Sequence, residues 1–475
     1  MDEREELFVA EENFAEDYEA VRDRQSDQLF RLLEEKKFKQ LQSELEEIEE
    51  FDVAEFLTEL PEMEMARVFR MLSKEKGAEV FSELDIPEQE YIINFITDAE
   101  LSCIIEEMYV DDAVDLMEEL PANVVKRVMR AATPETRRLI NQYLKYPENS
   151  AGSIMTAEFI DLKKYMSVRE SFARIRRIGA DKETIYTCFV TSADRKLEGV
   201  VTIKDLIMAD EDEAIENIMD DNVIFAVTTD DQEEVSGLFT DYDLLTIPVV
   251  DKEHRLVGIV TVDDVMDVIE QETTEDFEKM AAMAPSDKPY SRTGPLEMWK
   301  NRFPWLLFLM LSATFTSIII NAFEGALAAQ AALIGFIPML TGTGGNSGSQ
   351  SSTAVIRSLS LGDSEPKDVL MIIWKEVRVA VLCGLALALV NFLKMLFVDK
   401  LVLGNEGVTL MVAATVSVTM IFVVIFAKAV GCTLPILAER LGVDPAVMAS
   451  PLIATITDSV SLLIYFTVAT LFLGL

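Results

Sequence analysis

The last third of the chain consists largely of long apolar segments, and these constrain its fold more than any other feature of the 475 residues. A helix needs about 20 predominantly apolar residues to cross a bilayer. The second segment is apolar only as far as Leu340 and then continues through a glycine-rich stretch. We predict five membrane-spanning helices, in the segments 303–323, 327–356, 371–398, 408–430 and 446–472.

The first 300 residues carry almost all of the net charge. They hold 73 of the 83 acidic and 33 of the 42 basic residues, so they account for −40 of the formal charge of −41. Such a surface repels nucleic acid and anionic lipid and attracts cations, so no nucleic-acid partner is expected. The four cysteines form no CxxC pair, which fits a reducing compartment without a disulfide framework.

The basic residues near the apolar segments predict the orientation in the membrane. Cytoplasmic loops carry an excess of lysine and arginine. One set of loops contains Lys400 as its only base, whereas the opposite set is flanked by Lys300, Arg302, Arg357, Lys367, Lys375, Arg378, Lys428 and Arg440. The N-terminal domains are therefore predicted in the cytoplasm and the C-terminus outside. The first 20 residues lack the basic and apolar regions of a cleavable signal.

Residues 1–152 are predicted to form an acidic helical domain. The segments 56–71 and 116–131 repeat one phrase, in which Pro61 aligns with Pro121 and Arg67 with Arg127. Proline is favoured in the first turn of a helix, so each phrase predicts a helix start. Repeated helical hairpins of this kind predict a small α-solenoid.

Residues 153–272 change to short β-rich runs that alternate with helical segments. The phrases LEGVVTIKDLI and LVGIVTVDDVM are copies, with Gly199 and Gly258 in equivalent positions. Their G-h-h-T-x-x-D pattern, in which h is a hydrophobic and x any residue, resembles that of a tandem CBS pair. The resemblance implies an α/β fold in which Thr202 and Asp205 bind the ribose of ATP or another adenine nucleotide. Thr261 and Asp264 occupy the second copy. The alternative is that these residues simply cap helices.

Residues 273–300 are predicted to be a connecting helix and linker, and 301–475 the membrane domain.

We take Asp458 as the only acidic residue in the interior of an apolar segment. An ionisable group at that depth is costly unless it faces water, an ion or a partner. Ala454 lies four residues earlier on the same helical face, and Pro451 is expected to disturb the carbonyl of Val447. A lone carboxylate of this kind predicts a cation pathway.

The second segment contains Gly342, Gly344, Gly345 and Gly348 among polar residues. Irregular backbone at membrane depth is tolerated where it lines a wet cavity. We therefore expect a broken helix whose freed carbonyls, with Asn346 and Gln350, act as oxygen ligands. The alternative is that small residues allow close helix packing.

Few oxygen ligands suit Mg²⁺, which dehydrates reluctantly and keeps several waters. A two-fold axis through the site would double its carboxylates. The only histidine, His254, is predicted to be an exposed loop residue, so nothing indicates a site for a soft metal.

The order of these parts resembles the MgtE magnesium channel and transporter family. The resemblance covers nearly the whole chain and rests on the Gly-Gly-Asn-Ser-Gly-Ser-Gln run and on the Ala454–Asp458 segment. It implies a homodimer with the pore on its axis, where Asp458, Asn346 and the Ala454 carbonyl bind hydrated Mg²⁺. It also implies that residues 273–290 form a plug helix, and that other divalent cations such as Co²⁺ are transported less.

Acidic residues at the domain junctions match the family's regulatory cation sites, which implies closure by cytosolic Mg²⁺. Some of them are also expected to be an ordinary solvated face. They are Asp111, Asp112, Asp115, Glu233, Asp243, Asp264, Asp267, Glu272, Glu275, Asp276 and Asp444.

The sequence thus predicts a multidomain, multi-pass protein of the cell (inner) membrane. Its parts are an α-helical N-terminal solenoid, an α/β CBS pair and a five-helix transmembrane domain. We predict that it is not an enzyme, because one buried acid has no second acid or base with which to share a proton. A membrane-anchored sensor without transport is the other alternative, and a flux measurement separates the two.

Overall fold

The computed structural model describes residues 22, 24–286, 290, 293–360, 366–448 and 450–474. The acidic start of the chain and Pro289 of the connector therefore lie outside the described residues. The chain forms two compact units, Met1–Met266 and Asp267–Leu475.

The first unit begins with short helices. After a helical segment at residues 24–34, they are α1 (Phe38–Leu45), α2 (Glu50–Thr58), α3 (Glu62–Phe69), α4 (Lys74–Ser82), α5 (Ile86–Phe95), α6 (Asp98–Glu107), α7 (Val110–Glu119), α8 (Ala122–Ala131) and α9 (Pro134–Tyr143). The helical domain is confirmed. Pro61 and Pro121 are the N-cap residues of α3 and α8, one position before the first turn in which we expected them.

Two three-stranded sheets follow, and in each the strands lie side by side in the order in which they occur along the chain. The elements are β1 (Asp161–Leu162), α10 (Val168–Ile178), β2 (Thr187–Thr191), β3 (Leu197–Thr202), α11 (Ile203–Met208), β4 (Ala226–Val227), α12 (Gln232–Tyr242), β5 (Thr246–Val250) and β6 (Leu256–Thr261). In both sheets the first pair is parallel and the second antiparallel. Thr187 pairs with Thr202 as Thr246 pairs with Thr261, so the repeated phrase produces two copies of one unit.

One apolar core joins the short helices to the second sheet. Phe81, Ile92 and Ile140 are fully buried in the same cluster as Ile247 and Val260. Burying apolar surface stabilises such contacts by roughly 25 cal/mol per Å² removed from water. Helix α13 (Val262–Met280) follows β6 without a break and continues into the predicted connector.

The second unit is almost entirely helical. Its elements are α14 (Pro295–Ser312), α15 (Thr314–Ala322), α16 (Glu324–Ala329), α17 (Ile337–Ser360), α18 (Val369–Lys394) with a π-helical extension at Met395–Val402, α19 (Leu410–Arg440) and α20 (Ser450–Leu473). Helices α17, α18, α19 and α20 pack around buried Leu340, Val416 and Phe466. The Tyr465 hydroxyl donates to the Leu333 carbonyl at 3.0 Å, so this buried polar group is satisfied.

Among the described residues, four helical stretches are long and apolar enough to cross a membrane. They are Pro295–Ala322, Val369–Val402, Leu410–Arg440 and Pro445–Leu473. Helix α17 has 24 residues, but its polar middle keeps it out of this group. Several apolar helices are therefore confirmed, whereas the number of five spans stays a prediction.

Candidate cation sites

Asp458 lies on α20 beside the glycine-rich face of α17. A Cβ built on Gly345 would lie 3.5 Å from the Ala454 Cβ and 4.0 Å from Asp458 Oδ1. Asp458 is half-buried in this single chain, and Asn346, the next residue on α17, is exposed. The structure therefore places Gly345 against both Ala454 and Asp458, with Asn346 at the adjoining exposed position.

The prediction of a broken second segment was wrong, because α17 runs without interruption through the glycine run. Its backbone carbonyls are not freed as ligands. The carbonyl of Ala454 lies within α20 and also accepts from Thr457 Oγ1 at 3.0 Å. Pro451 does not disturb a helix interior either, because α20 begins at Ser450 and proline is tolerated in the first turn. Side chains must therefore supply most of the oxygen ligands at this site.

The glycines serve close helix packing instead. A Cβ on Gly431 of α19 would lie 2.2 Å from the Gly348 carbonyl oxygen, and a Cβ on Gly348 would lie 2.7 Å from Ile453 Cγ2. A side chain at either position would collide with a neighbouring helix. Gly344 is similarly crowded by Ser461, whereas Gly342 has open space around it. Small residues at such crossings let backbones approach closely, so the packing alternative holds for two of the four glycines, Gly344 and Gly348.

The sequence reasoning missed a buried ion pair in this unit. Lys428 of α19 is 5% exposed, although the sequence predicts it at the end of the fourth segment, as a charge that flanks the next loop. Its Nζ lies 3.7 Å from Glu376 Oε2 of α18 and donates to Ser351 Oγ of α17 at 3.1 Å, while Ser351 donates to Glu376. Glu376 is thus a second acid within an apolar helix, and Asp458 is not the only one. Glu376 lies five residues inside our third predicted segment, so the sequence itself shows a second acidic residue within an apolar segment.

A second charged group lies where α13 meets the loop before α20. Lys279 Nζ is 2.6 Å from both Glu275 Oε1 and Asp444 Oδ2. Burial opposes the charged lysine, but its hydrogen bonds to Asp444 and Glu275 outweigh that effect and raise its pKa. Burial and the nearby Asp444 raise the pKa of Asp276. The predicted acids do meet here, but a lysine ammonium already lies between two of them.

Acids of α7 approach the start of α13 within the first unit. Asp111, Asp112 and Asp115 lie on α7, and Asp264 is in the first turn of α13. Burial, reinforced by neighbouring acids, raises the pKa of Asp111 well above its usual range, that of Asp112 to about 6 and that of Asp115 to about 7. Asp111 Oδ1 is buried and accepts no hydrogen bond from the described residues. An unsatisfied buried carboxylate oxygen is costly, so this cluster favours a cation or a proton.

Sequence reasoning also missed Glu183 in this cluster. Burial, together with the charges of Asp264 and Asp263, raises the pKa of Glu183 to about 7, and its Oε2 is buried without a partner among the described residues. Glu183 lies in an irregular segment between α10 and β2, so no helical spacing could have connected it with α7. Across the described residues, no three His, Cys, Asp or Glu side chains are already arranged to hold a metal ion.

The remaining predicted regulatory acids are more dispersed. Glu233 is in the first turn of α12 and Asp243 is its C-cap residue, in a left-handed conformation with φ of 51°. These two acids stand at opposite ends of the helix, about 15 Å apart along its axis at 1.5 Å per residue. Asp267 and Glu272 lie further along α13.

Thr202 and Asp205 form a capping box at the start of α11. The Asp205 amide donates to Thr202 Oγ1 at 3.2 Å, and the Thr202 amide donates to Asp205 Oδ2 at 3.0 Å. Thr261 Oγ1 likewise donates to Asp264 Oδ2. The capping alternative is therefore confirmed for Thr202 and Asp205, and their contact with a ribose stays a prediction.

Helices of membrane-spanning length, a carboxylate on one of them and a strongly acidic N-terminal part are features of a membrane protein that handles cations. Three family descriptions match the chain: "Divalent cation transporter" (MgtE) at residues 337–468, "MgtE intracellular N domain" at 48–149, and "CBS domain" at 151–212 and 215–271.

Proteins of known family agree with these matches. The magnesium transporter MgtE of Thermus thermophilus is 41% identical over 367 residues, which cover 76% of this chain and 79% of that protein. The magnesium transporter MgtE of Bacillus subtilis is 31% identical over 93% of this chain and 96% of its own length. A crystal structure of the soluble part of a magnesium transporter is 29% identical and covers 53% of this chain and 99% of that one, with a TM-score of 0.51. The chain belongs to the MgtE family of magnesium transporters.

Proposed function

We propose that this chain is a Mg²⁺-selective channel or transporter for magnesium uptake, with its pore on the axis of a homodimer. The observation that carries the proposal is the half-buried Asp458 carboxylate facing the Gly345 surface of α17. Both residues lie within the segment that matches the divalent cation transporter family. Asp458, Asn346 and the Ala454 carbonyl would hold the ion.

The ligands available favour a hydrated ion. One carboxylate and one amide are too few to replace the six oxygens around Mg²⁺, which readily keeps its waters. A second copy across a two-fold axis would add a second carboxylate. Helix α14 has no buried residue in the single chain, so it leaves an apolar surface for lipid and for a second copy. Larger or softer ions such as Co²⁺ would pass less readily.

Flux into proteoliposomes tests this assignment. Asp458→Asn should reduce Mg²⁺ flux at least 100-fold without loss of the folded protein, because the neutral amide cannot balance the charge of the ion. Asn346→Ala should reduce it less. Glu406→Gln is the matched control, since Glu406 lies in the exposed loop before α19. Wild-type flux in Asp458→Asn would refute the assignment.

We further infer that cytosolic Mg²⁺ closes the pore by binding the junction acids. Two carboxylates about 4 Å apart repel by roughly 4 kcal/mol at an effective dielectric constant of 20. A divalent ion reverses the sign of that interaction at the Asp111, Asp112, Asp115 and Asp264 cluster. It acts only through its higher affinity for the compact arrangement. Since these acids are not yet in ligand geometry, the ion would draw them together.

Acids elsewhere along the chain are proposed to contribute to the same closure. Glu275 and Asp276 belong to the part of α13 proposed as the plug helix, and Asp444 lies in the loop before α20. A cation bound by these acids would connect the plug helix to the membrane domain. At this second group Mg²⁺ must compete with Lys279. Asp267 and Glu272 continue the acidic face of α13, and Glu233 and Asp243 are candidates only for separate sites at the two ends of α12.

Removal of charge without change of shape tests the gating proposal. The triple variant Asp111→Asn, Asp112→Asn, Asp115→Asn should conduct Mg²⁺ at internal concentrations that suppress wild-type flux. Glu107→Gln provides a control on the preceding helix, because Glu107 is exposed. If internal Mg²⁺ does not suppress wild-type flux, the gating proposal fails while the Asp458 assignment stands.

Two further parts of the proposal follow from the sequence. The N-terminal domains face the cytoplasm and the C-terminus the outside of the cell (inner) membrane. An adenine nucleotide contacts Thr202 and Asp205 in addition to their capping role. Calorimetry with the full chain tests the second statement, because Asp205→Ala should remove that binding. Protease accessibility in sealed vesicles tests the first.

A further inference from the structure

A cavity of about 510 Å³ opens at one end of the membrane unit, where α18 continues into its π-helical extension. Its wall combines apolar side chains with an ion pair and an amide. The lining residues are Ala332, Gly335, Phe336, Met339, Lys394, Asp399, Leu403 and Asn405. Sites for small ligands usually occupy roughly 300–1,000 Å³, so the volume suits one small molecule or one lipid headgroup.

The ion pair in this wall depends on the π-helical extension. Lys394 Nζ lies 2.8 Å from Asp399 Oδ2, although the two residues are five positions apart. In an α-helix, side chains at this spacing differ by about 140° in direction around the axis. The wider turns of Met395–Val402 let the two side chains meet, and π-helical turns occur frequently at functional sites.

Both charged groups retain capacity for a ligand. Asp399 is 8% exposed, and the hydrogen bond from Lys394 uses one of about four acceptor positions of its carboxylate. Lys394 is exposed, and its ammonium has three N–H groups. Because the two charges cancel, the wall offers a cation and an anion side by side. A ligand with one charge of each sign complements this wall better than a purely anionic ligand does.

Two other contacts hold the wall in place. The centroid of the Phe336 ring is 5.9 Å from Lys394 Nζ, a distance at which the ring face attracts a cation. The Asn405 amide donates to the Asp399 carbonyl at 3.1 Å, so the loop after the extension is fixed to the same wall. The site is therefore built from two separate segments of the chain.

The cavity lies at the depth of the lipid headgroups. The membrane-spanning stretch that includes α18 ends at Val402, and exposed loop residues follow from Gly404. The headgroup region begins where a spanning helix leaves the hydrocarbon core. Next to the cavity, Phe397, Leu401 and Leu403 are exposed. Apolar side chains at this depth suit the first part of a lipid acyl chain.

We propose that this cavity binds the headgroup of a zwitterionic phospholipid that carries a primary ammonium group. The phosphate accepts hydrogen bonds from Lys394, and the ammonium of the lipid donates to Asp399. The acyl chains extend along the exposed apolar side chains of the π-helical extension. A trimethylated headgroup has no N–H to donate, and an anionic headgroup without an amine would place a second negative charge beside Asp399.

This lipid site is separate from the cation pathway. Met339 is the lining residue closest in sequence to Gly345, and six positions of α17 separate the two by about 9 Å. The proposal therefore holds or fails independently of the assignment of Asp458.

Native mass spectrometry of the full chain in detergent tests the headgroup. The protein is titrated with phosphatidylethanolamine, phosphatidylcholine and phosphatidylglycerol that share the same acyl chains. Phosphatidylethanolamine should bind roughly fivefold more tightly than either of the others, because it alone adds a charge-assisted hydrogen bond to Asp399. Soluble glycerophosphoethanolamine should bind roughly 100-fold more weakly than the lipid, because it lacks the acyl chains.

Two variants remove the site in different ways. A Cβ on Gly335 would meet no atom within 4 Å, so Gly335→Leu takes up cavity space without a collision. Lys394→Met combined with Asp399→Asn removes both charges, so neither is left buried and unpaired. Each should weaken binding of phosphatidylethanolamine at least tenfold. Lys400→Met is the matched control and should leave binding unchanged, since Lys400 is exposed in the same extension but does not line the cavity.

Each contrary result would overturn a defined part of the proposal. Equal affinity for phosphatidylethanolamine and phosphatidylcholine, or tighter binding of phosphatidylglycerol, would exclude the proposed headgroup. Unchanged affinity in either variant, with a circular dichroism spectrum that matches the wild type, would place the lipid elsewhere. Glycerophosphoethanolamine that binds as tightly as the lipid would identify a soluble ligand instead.

Discussion

The buried pair of Glu376 and Lys428 provides the sharpest test of how the membrane unit is held together. Three helices meet there, because Ser351 of α17 connects the carboxylate of α18 to the ammonium of α19. Lys428 lies one turn before Gly431, where α17 and α19 are in close backbone contact. Removing one partner leaves the other charge buried and unpaired, whereas removing both leaves a neutral contact.

The magnitude follows from burial. Lys428 is 5% exposed and the Glu376 side chain 16%. Breaking a buried ion pair typically costs 3–5 kcal/mol, while replacing both members by neutral residues is often neutral or stabilising. Lys428→Met and Glu376→Gln should therefore each destabilise the unit by about 3 kcal/mol, and the double variant by less than about 1 kcal/mol. For a unit of this size 1 kcal/mol corresponds to about 2–4 °C, so each single variant should melt roughly 6–12 °C lower.

Tryptophan fluorescence measures this unit selectively. Trp299, Trp305 and Trp374 are the chain's three tryptophans, and all lie in Asp267–Leu475. A thermal scan of detergent-purified protein therefore reports the membrane unit without the first one. Lys400→Met is the matched control, because Lys400 is exposed. The reasoning is refuted if either single variant melts within 2 °C of the wild type, or if the double variant loses as much stability as the two single variants together.

Two other predictions concern the charged groups outside the membrane helices. In metal-free buffer the first unit should lose stability as pH rises from about 4 to 7, because Asp112, Asp115 and Glu183 have raised pKa values in the folded state and bind more protons when folded than when unfolded. Circular dichroism melts with and without 10 mM Mg²⁺ measure this dependence on pH. A stability that increases with pH over this range would contradict the prediction. Lys279→Met should lower the half-inhibitory internal Mg²⁺ concentration about tenfold, or about 1.4 kcal/mol, since the ammonium no longer competes with the metal for Glu275. Flux measured at graded internal Mg²⁺ concentrations tests this. An increase in the half-inhibitory concentration would argue against competition.

The sequence predicted the CBS pair well because its signals are local and repeated. The two G-h-h-T-x-x-D phrases form the same strand, cap and helix in both copies, with the Thr187–Thr202 and Thr246–Thr261 pairs in equivalent register. A threonine followed three residues later by aspartate caps a helix through contacts within one turn. No distant residue is needed for that structure, so it can be inferred from a single stretch of chain.

The glycine run of α17 shows where local reasoning failed. Glycine destabilises a helix interior by about 1 kcal/mol relative to alanine, so four glycines in seven residues predicted a break. In the structure the cost is offset by packing against α19 and α20, where Gly348 and Gly431 allow backbone contact. Tertiary packing commonly outweighs intrinsic propensity. That contact joins residues 83 positions apart, and the sequence of α17 alone contains no sign of it.

The charged residues show the same limit in a different form. The sequence places Lys428, Glu376 and Asp458 in apolar segments but does not say which helix faces they occupy. Lys428 and Glu376 neutralise each other, whereas Asp458 faces the glycine surface of α17. A paired carboxylate gains little from a cation, because binding must first displace the lysine. By that reasoning Asp458 in the membrane unit, and the Asp111 cluster in the first unit, should respond to Mg²⁺ most strongly, and the Lys279 group less.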